Sequence, residues 1–420
     1  MAGASRSNPF RASSPDVEGL LVEIEDFLAE HAAPYEEQYR ADTEQEATSF
    51  PAKLREIRER AKERGLWNMF LPPDVRATTF ARSLSYVDYA LMAEVMGRYE
   101  FGASIFNCQA PDSGNAEILA RFGSDEVRAR FLTPLLEGDI HSGFSMTEPA
   151  VASSDATNLQ LRMTVDGDHV VLDGTKWFTS GATDPSCGLL VVMARSGDGS
   201  KYQNHSMVVV PRHTEGVTLG RRPTVFGYDH PSGHPELIYE DVRVPRSFVL
   251  GDLGDGFRIA QARLGPGRLH HCMRSIGVAE RALQIAIERA VDRQLGDGAV
   301  IDKESVQQWV AESRIRIDMA RAYTMSVAMQ MDAVGPRTAR TAISGLKVAV
   351  PRMTLDVLDQ AIQLHGALGV TQFTPLAHWW ALARSLRIGD GPDEVHTAAI
   401  ARHEVRRSVA AIEETRGGAA

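Results

Sequence analysis

The sequence predicts a mostly helical protein with a small β-domain in its middle. Apolar residues recur at helical spacing over residues 15–137, and no strand pattern interrupts them. From residue 141 to about 250 the pattern changes to short β-branched or alternating runs separated by turn residues. From residue 256 onward it is helical again. At 420 residues the chain is long enough for several domains.

The first section begins with a stretch that has no apolar run of the kind a secretory signal needs. We expect a disordered tail over residues 1–15, followed by a helical domain over residues 16–140. In that domain Val17, Leu20 and Ile24 begin the helical pattern. Further helices are predicted at residues 50–65, 86–96 and 118–136.

The middle section is predicted to be a small all-β domain over residues 141–253. Its hairpin signal is Asp166-Gly167-Asp168, which lies between two alternating runs. Strands are predicted at residues 159–165, 169–177, 189–194 and 207–210, with a last strand closing at Pro245.

The last section, residues 254–414, is predicted to be an antiparallel bundle of long helices with short links. The first of them contains Gly265-Pro266-Gly267, which predicts a break. The four helices are predicted at residues 256–293, 303–334, 337–364 and 394–412.

Composition narrows the possible partners and compartments. The net charge of −10 makes nucleic acid an unexpected partner. The sequence contains no run of eighteen apolar residues, so a membrane span is not predicted. Cys108, Cys187 and Cys272 occur singly, which favours a reducing compartment. The chain has 39 arginines and 6 lysines, as GC-rich bacterial proteins do, so we expect a bacterial cytoplasm rather than a mitochondrial matrix.

The segment with the most unusual composition is Gly143–Asp155, which reads GFSMTEPAVASSD. Small residues such as Ala150 and Ala152 let the backbone approach a flat, polar ligand closely. An ordinary Ser/Ala-rich turn is the alternative. Two further segments, Lys176–Gly181 and Gly389–His396, favour the ligand-binding interpretation.

Taken in order, these motifs resemble those of the acyl-CoA dehydrogenase family over almost the whole chain. Gly143–Asp155 is similar to the family's flavin loop, and Lys176–Gly181 to its second flavin strand. Gln363–Gly369 resembles the family's Gln-x-x-Gly-Gly-x-Gly segment. Asp390–Glu394 stands where the family has its catalytic loop, which here begins with Asp, as in a subgroup associated with unusual or hydroxylated acyl chains.

The resemblance implies FAD-dependent α,β-dehydrogenation of an acyl-CoA to a trans-2-enoyl-CoA, with hydride transfer to flavin N5. It also implies an electron-transfer flavoprotein or similar acceptor, and a homodimer or homotetramer. The residues it assigns to FAD are Phe144, Met146, Thr147, Ser153, Trp177, Thr179, Arg293, Gln363, Gly366, Pro392 and Glu394. Those it assigns to the acyl-CoA are Ser153, Arg268, Gly391 and Arg402.

Asp390 is the residue we expect to remove the α-proton. Such a base needs a pKa raised by an apolar, water-poor site. Gly389 and Gly391 leave room for the backbone to approach the thioester carbonyl. From residue types alone, Asp390 would be interpreted as an exposed residue of a turn. The family resemblance is what favours its role as the base. Some relatives place the base one residue before Arg268; here that residue is Gly267, which cannot titrate.

Other assignments have structural alternatives. Thr147 could bond backbone at a strand end, Trp177 could be an ordinary core residue, and Ser153 could be a solvated loop residue. Arg268 and Arg402 could form salt bridges within the bundle.

The adenine half of the cofactor is the part where the sequence departs from the family. Gly296 and Glu304 stand where the family has Phe and Gln.

No metal site is predicted. His270, His271 and His365 lack the spacing of metal ligands, so we expect them to pack between helices. The Gly-rich stretch 251–256 lacks the features of a phosphate loop and is expected to be a domain-junction turn.

Two other functions stay open at this point. One is an acyl-CoA oxidase or flavin monooxygenase on the same scaffold, with oxygen as electron acceptor. The other is a non-catalytic flavin-binding protein that serves assembly.

Overall fold

The structure is a computed structural model that describes residues 8–45, 49–73, 75, 82–228, 233–296 and 298–417. Within these ranges, none of the helices has the length and apolar character needed to cross a membrane.

In the described part of the N-terminal domain, the regular elements are all helices. Its helices are α1 Pro15–Phe27, α2 Glu36–Gln45, α3 Ala52–Glu63, α4 Tyr86–Met96, α5 Gly102–Ile105, α6 Asp112–Phe122, α7 Asp125–Val127 and α8 Thr133–Glu137. The prediction of one continuous helix over residues 118–136 is wrong. Gly123 is extended at ψ 146°, and Ser124 then caps a new helix by accepting a hydrogen bond from the backbone N–H of Val127.

The expected disordered tail is wrong over residues 8–14, while residues 1–7 lie outside the described part of the chain. The amide of Asn8 donates to Glu94 at 3.0 Å. The backbone and hydroxyl of Ser13 donate to the Asp88 carboxylate at 2.8 and 2.6 Å. These contacts fix the segment against α4 before α1 begins.

The middle domain is one eight-stranded sheet. Its strands are β1 His141–Ser145, β2 Arg162–Asp166, β3 His169–Lys176, β4 Cys187–Arg195, β5 His205–Pro211, β6 Val217–Leu219, β7 Leu237–Pro245 and β8 Val249–Leu250. The order is β6-β7-β3-β2-β4-β5-β8, and β1 pairs in parallel with β4. Strand β2 starts later than predicted because the N–H groups of Gln160 and Leu161 bond the carboxylate of Glu148 instead of a strand.

The C-terminal domain is the expected bundle of long helices. They are α9 Gly256–Asp292, α10 Glu304–Thr338, α11 Arg340–His365, α12 Leu376–Leu386 and α13 Asp393–Gly417, with a small hairpin, β9 Gln294–Leu295 and β10 Gly298–Ala299, after α9. The predicted break at Gly265–Gly267 is wrong, because α9 continues through Pro266. The interruption lies in α10 instead, where Gly335 has φ 76° and ψ 159°.

Helix α9 packs closely on α4 through glycines. A Cβ on Gly277 would lie 2.0 Å from the Glu94 carbonyl oxygen and 2.9 Å from the Gly97 Cα. Changing Gly277 to Ala gains about 1 kcal/mol of helix propensity. It also forces the two backbones apart, and overpacking costs about 1–3 kcal/mol or more. We expect a net loss of stability of about 2 kcal/mol in urea unfolding.

Gly267→Ala is the matched control in the same helix. A Cβ there has nothing within 4 Å. It should therefore stabilise the protein by about 0.5–1 kcal/mol. Equal effects of the two substitutions would contradict the close packing of α9 on α4.

Candidate active site

The three sections of the chain meet at one polar junction. Asn115 of α6 donates from Nδ2 to the Ser142 hydroxyl at 2.9 Å, and its Oδ1 accepts from Arg263 Nε at 2.7 Å. The guanidinium carbon of Arg263 lies 3.7 Å from the centre of the Phe144 ring. One side chain of the N-terminal domain thus ties the start of β1 to α9.

Asp112 strengthens this junction. Its carboxylate accepts from the Ser142 backbone N–H at 2.7 Å, from the Ser142 hydroxyl at 2.5 Å and from His141 Nδ1 at 2.7 Å. Burial acts to raise the pKa of Asp112, but His141 and Ser142 outweigh burial and hold it below its usual value. The carboxylate is therefore ionised at neutral pH.

The loop that carries Asp390 is held in a strained conformation at this junction. Asp390 has φ 55° and Gly391 has φ 98°, and a Cβ on Gly391 would lie 2.9 Å from His396 Nε2. The carbonyl oxygen of Asp390 accepts from Arg268 Nε at 2.9 Å and lies 3.3 Å from His396 Nε2. Strain of this kind persists only where surrounding contacts impose it, and it clusters at functional sites.

Both ends of the loop are fastened by Asp393. This buried carboxylate accepts from Arg387 Nε at 2.9 Å and from Arg352 Nη2 at 3.0 Å. The backbone N–H of Asp393 donates to the Arg387 carbonyl at 3.1 Å. The loop therefore closes on itself between α12 and α13.

The Asp390 side chain lies among cationic groups, with 24% of its surface exposed. Burial acts to raise its pKa, but the attraction of His271, which is charged only in the acid range where Asp390 titrates, and of the cations Arg263, Arg268 and Lys347 outweighs burial and lowers it. The raised pKa expected from the sequence is therefore wrong for this chain. The carboxylate is ionised at neutral pH and able to accept a proton.

The flavin-loop residues form a second group on the β-domain side. The Thr147 hydroxyl donates to the Trp177 carbonyl at 2.8 Å, and the Trp177 N–H donates to the Thr147 carbonyl at 2.9 Å. Thr147 thus bonds the neighbouring strand end. Among the described residues, its own backbone N–H has no hydrogen-bond partner.

A buried ion pair supports this loop, and the sequence alone gave it no role. Lys176 is fully buried, and its ammonium donates to the Met146 carbonyl and to Glu148 Oε1, each at 2.8 Å. Glu148 also accepts the N–H groups of Gln160 and Leu161, each at 2.8 Å. Burial lowers the pKa of Lys176 to about 8, against the attraction of Glu148.

Thr179 has a defined place in the β-domain, and its predicted contact with FAD stays a prediction. Its side chain is fully buried, and its hydroxyl lies 3.2 Å from that of Ser145, which in turn lies 2.8 Å from the Tyr239 hydroxyl. Its neighbour Phe178 has φ 51° and a ring that is 43% exposed. The positive φ turns the segment, so that Phe178 and not Thr179 faces the outside.

Ser153 has a defined structural contact. Its hydroxyl oxygen accepts the N–H of Glu148 at 2.9 Å, and the hydroxyl lies 3.2 Å from the Glu148 carbonyl. It therefore closes the loop that begins at Thr147. Its predicted contact with FAD or acyl-CoA stays a prediction.

Two further predicted residues follow Asp390 closely in the sequence. Pro392 is half-buried, and Glu394 is exposed in the first turn of α13. Arg402 lies further along the exposed face of that helix, about 14 Å beyond its start. Among the described residues, no hydrogen bond or ion pair joins Arg402 to the Asp390 group.

The residues assigned to the far part of FAD lie at a distant end of the bundle. Arg293 follows α9, Gln363 lies in the last turn of α11, and Gly366 follows it; all three are exposed. Arg293 lies about 45 Å along α9 from Arg263, which lies at the Asp390 junction. One copy of the chain does not bring the two sets together.

These groups fit a flat, hydrogen-bonding cofactor such as FAD. The N–H of Thr147 has no partner within the described ranges and is able to donate, and Phe178 and Trp177 present aromatic surface beside it. Within the described ranges, no cluster of three or more His, Cys, Asp or Glu residues is arranged to hold a metal ion.

Comparisons with known proteins show the family to which the three domains belong. Family models of the acyl-CoA dehydrogenase N-terminal, middle and C-terminal domains match residues 14–139, 143–242 and 254–405. The protein named probable acyl-CoA dehydrogenase FadE2 from Mycobacterium tuberculosis is 46% identical over 390 residues, covering 91% of this chain and 94% of FadE2. Acyl-CoA dehydrogenase family member 11 from Gallus gallus is 45% identical over 395 residues, covering 92% of this chain. This chain spans only 50% of that relative's length.

Solved structures show the same fold. A structure described as "a putative acyl-CoA dehydrogenase from Mycobacterium abscessus" superposes with a TM-score of 0.90 at 41% identity, covering 95% of this chain and 100% of that one. Butyryl-CoA dehydrogenase from Megasphaera elsdenii shares the fold with a TM-score of 0.81 at 23% identity, covering 95% of this chain and 100% of that one.

Fold and site together define a flavoprotein of the helical–β–helical type. The chain belongs to the acyl-CoA dehydrogenase family. Members of this family are FAD-binding oxidoreductases of fatty acid metabolism. The family, the fold class and FAD as the cofactor, all expected from the sequence, are confirmed.

Proposed function

We propose that the protein dehydrogenates an acyl-CoA thioester between Cα and Cβ to give a trans-2-enoyl-CoA, with Asp390 as the base. The observation that carries this proposal is the ionised Asp390 carboxylate, held on a strained loop at the junction of β1, α6 and α9. A carboxylate in its basic form, on a loop fixed by contacts to its own backbone, can accept the α-proton once bound substrate has displaced water and raised its pKa.

The chain's own residues divide the work. Asp390 accepts the α-proton, while Arg268 and His396 hold its peptide carbonyl and so fix the loop. When bound, FAD supplies the acceptor for the β-hydrogen, which leaves as hydride. Phe144, Met146, Thr147, Trp177, Thr179 and the backbone around them would hold its ring system, with the exposed Phe178 beside them.

The far part of FAD would be held by Arg293, Gln363 and Gly366 of a second copy. The separation of about 45 Å between this set and the junction supports a homodimer or homotetramer. Exposed apolar side chains on α13, Val405, Val409 and Ile412, are consistent with cover by another subunit.

An electron-transfer flavoprotein, or a carrier like it, is the acceptor that we propose for the electrons. We place the protein in a reducing compartment such as the bacterial cytoplasm, since Cys108, Cys187 and Cys272 are free and buried.

Anaerobic titration of the FAD-loaded protein with a panel of acyl-CoAs tests the reaction. The panel should include straight, branched and hydroxylated acyl chains. We expect at least one to bleach the flavin absorbance stoichiometrically and to yield the 2-enoyl-CoA. Bleaching followed by rapid peroxide formation in air would instead identify an oxidase, and failure of the whole panel would overturn the proposal.

A further inference from the structure

His271 lies against the carboxylate that the proposed reaction uses. It belongs to α9, one residue after His270, and the sequence predicts only helix packing for it. Its Nε2 lies 3.5 Å from Asp390 Oδ2, and each of the two side chains is 24% exposed. The two side chains are therefore neighbours that both keep part of their surface exposed.

The contacts of the ring fix which nitrogen carries the proton. Arg274 Nη2 lies 3.2 Å from His271 Nδ1, and Arg274 Nη1 donates to the Cys108 carbonyl at 3.3 Å. A guanidinium can only donate, so Nδ1 must accept. The proton of the neutral imidazole is then on Nε2, the nitrogen that faces Asp390.

The ring is neutral at physiological pH. Burial lowers the pKa of His271 to about 4, and the charge of Arg274 adds to that effect. The group facing Asp390 is therefore a neutral N–H donor that keeps its proton while Asp390 takes one up.

We propose that His271 is a positioning residue for Asp390. The His271 ring donates its Nε2–H to Asp390 Oδ2, and this leaves Asp390 Oδ1 directed to the substrate. The inference rests on the proposed function of Asp390. The present 3.5 Å is longer than a hydrogen bond, and catalytic contacts of this kind commonly shorten when substrate binds. Arg274 contributes indirectly, because its contact with Nδ1 fixes the tautomer of His271.

Several other groups surround the pair and stay in place when His271 is replaced. Those that are charged or titratable are Arg263, Arg268, Cys272, Arg274, Lys347, Asp393 and His396. A change seen on replacing His271 alone therefore reports the contribution of its N–H donor.

The test compares His271→Phe with His271→Gln. Phe keeps a ring but has no donor, whereas the Gln amide places an N–H donor close to the position of Nε2. A hydrogen bond to the ionised form lowers a carboxyl pKa, so its loss raises the pKa of Asp390. The expected rise is about one unit or more, because a hydrogen bond to a charged group contributes about 1.5–3 kcal/mol.

The first readout needs neither FAD nor acyl-CoA. Carbodiimide with an amine traps only protonated carboxyl groups, so at pH 5–6 the labelling rate of Asp390 follows its protonated fraction. Peptide mass spectrometry, with exposed Glu394 as internal reference, should show labelling about tenfold faster in His271→Phe. His271→Gln should label close to the wild-type rate, as should the control His270→Gln, whose ring packs on Tyr89 away from Asp390.

The second readout is flavin reduction by acyl-CoA. In His271→Phe we expect kcat to fall about ten- to hundredfold with KM little changed. The acid limb of the kcat/KM profile should move to higher pH, and His271→Gln should restore most of the loss. Unchanged labelling and reduction in His271→Phe, or equal damage in both variants, would overturn the inference.

The two readouts separate this inference from the proposed function. If no acyl-CoA reduces the flavin, the proposed function fails, and the labelling rates still report whether His271 acts on Asp390. If the wild type is reduced and the labelling rate does not respond to His271→Phe, only the inference fails.

Discussion

Replacing Asp390 with Asn is expected to leave a yellow, FAD-bound protein that acyl-CoA no longer bleaches. The amide has the same shape but cannot accept the α-proton. The bonds that hold the loop end on the Asp390 carbonyl and on Asp393, so the fold should persist. A general base typically contributes about 10²–10⁴ to a rate, and flavin reduction should slow by at least the lower figure.

Asp390→Glu is the matched variant. It keeps the charge and moves the carboxylate outward by about 1.5 Å, one C–C bond. It should retain part of the activity that the Asn variant loses. Bleaching of Asp390→Asn at the wild-type rate would remove Asp390 from its role.

Replacing Lys176 with Met is expected to cost the protein about 3–5 kcal/mol of stability, because it leaves Glu148 charged and buried without its partner. Urea unfolding measures this loss. The same substitution frees the Met146 carbonyl and loosens the loop at Thr147, so FAD should dissociate more readily.

Two further variants separate the buried pair from ion pairs in general. Lys176→Met combined with Glu148→Gln removes both charges and should recover part of the lost stability. Arg195→Met breaks an exposed pair with Asp198 and should cost no more than about 1 kcal/mol. A cost for Lys176→Met as small as that for Arg195→Met would show that the buried pair does not support the loop.

Local patterns predicted the order of elements well. The 3.6-residue period marked α1 and the long bundle helices, and alternation around Asp166-Gly167-Asp168 marked the β2–β3 hairpin. The errors came where tertiary contacts override local preference. Pro266 removes one donor from α9 without ending it, and it lies buried within the helix.

The site was predictable in part. The order of the motifs singled out Asp390 and Thr147 as candidate site residues. It did not predict the side chains that contact Asp390 or support the loop at Thr147. His271 reaches Asp390 only because α9 passes under the α12–α13 loop, and no spacing in the sequence shows that. The exposure of Phe178 was also not predictable, because its positive φ is not visible in the identity of a bulky residue.

The most direct test is a crystal structure of the protein with FAD and a non-reactive acyl-CoA analogue. The account predicts the Asp390 carboxylate in contact with the thioester α-carbon on one side, the flavin ring against Thr147 and Phe178 on the other, and His271 Nε2 within hydrogen-bond distance of Oδ2. An analogue bound elsewhere, or an Asp390 side chain turned to solvent in that complex, would contradict it.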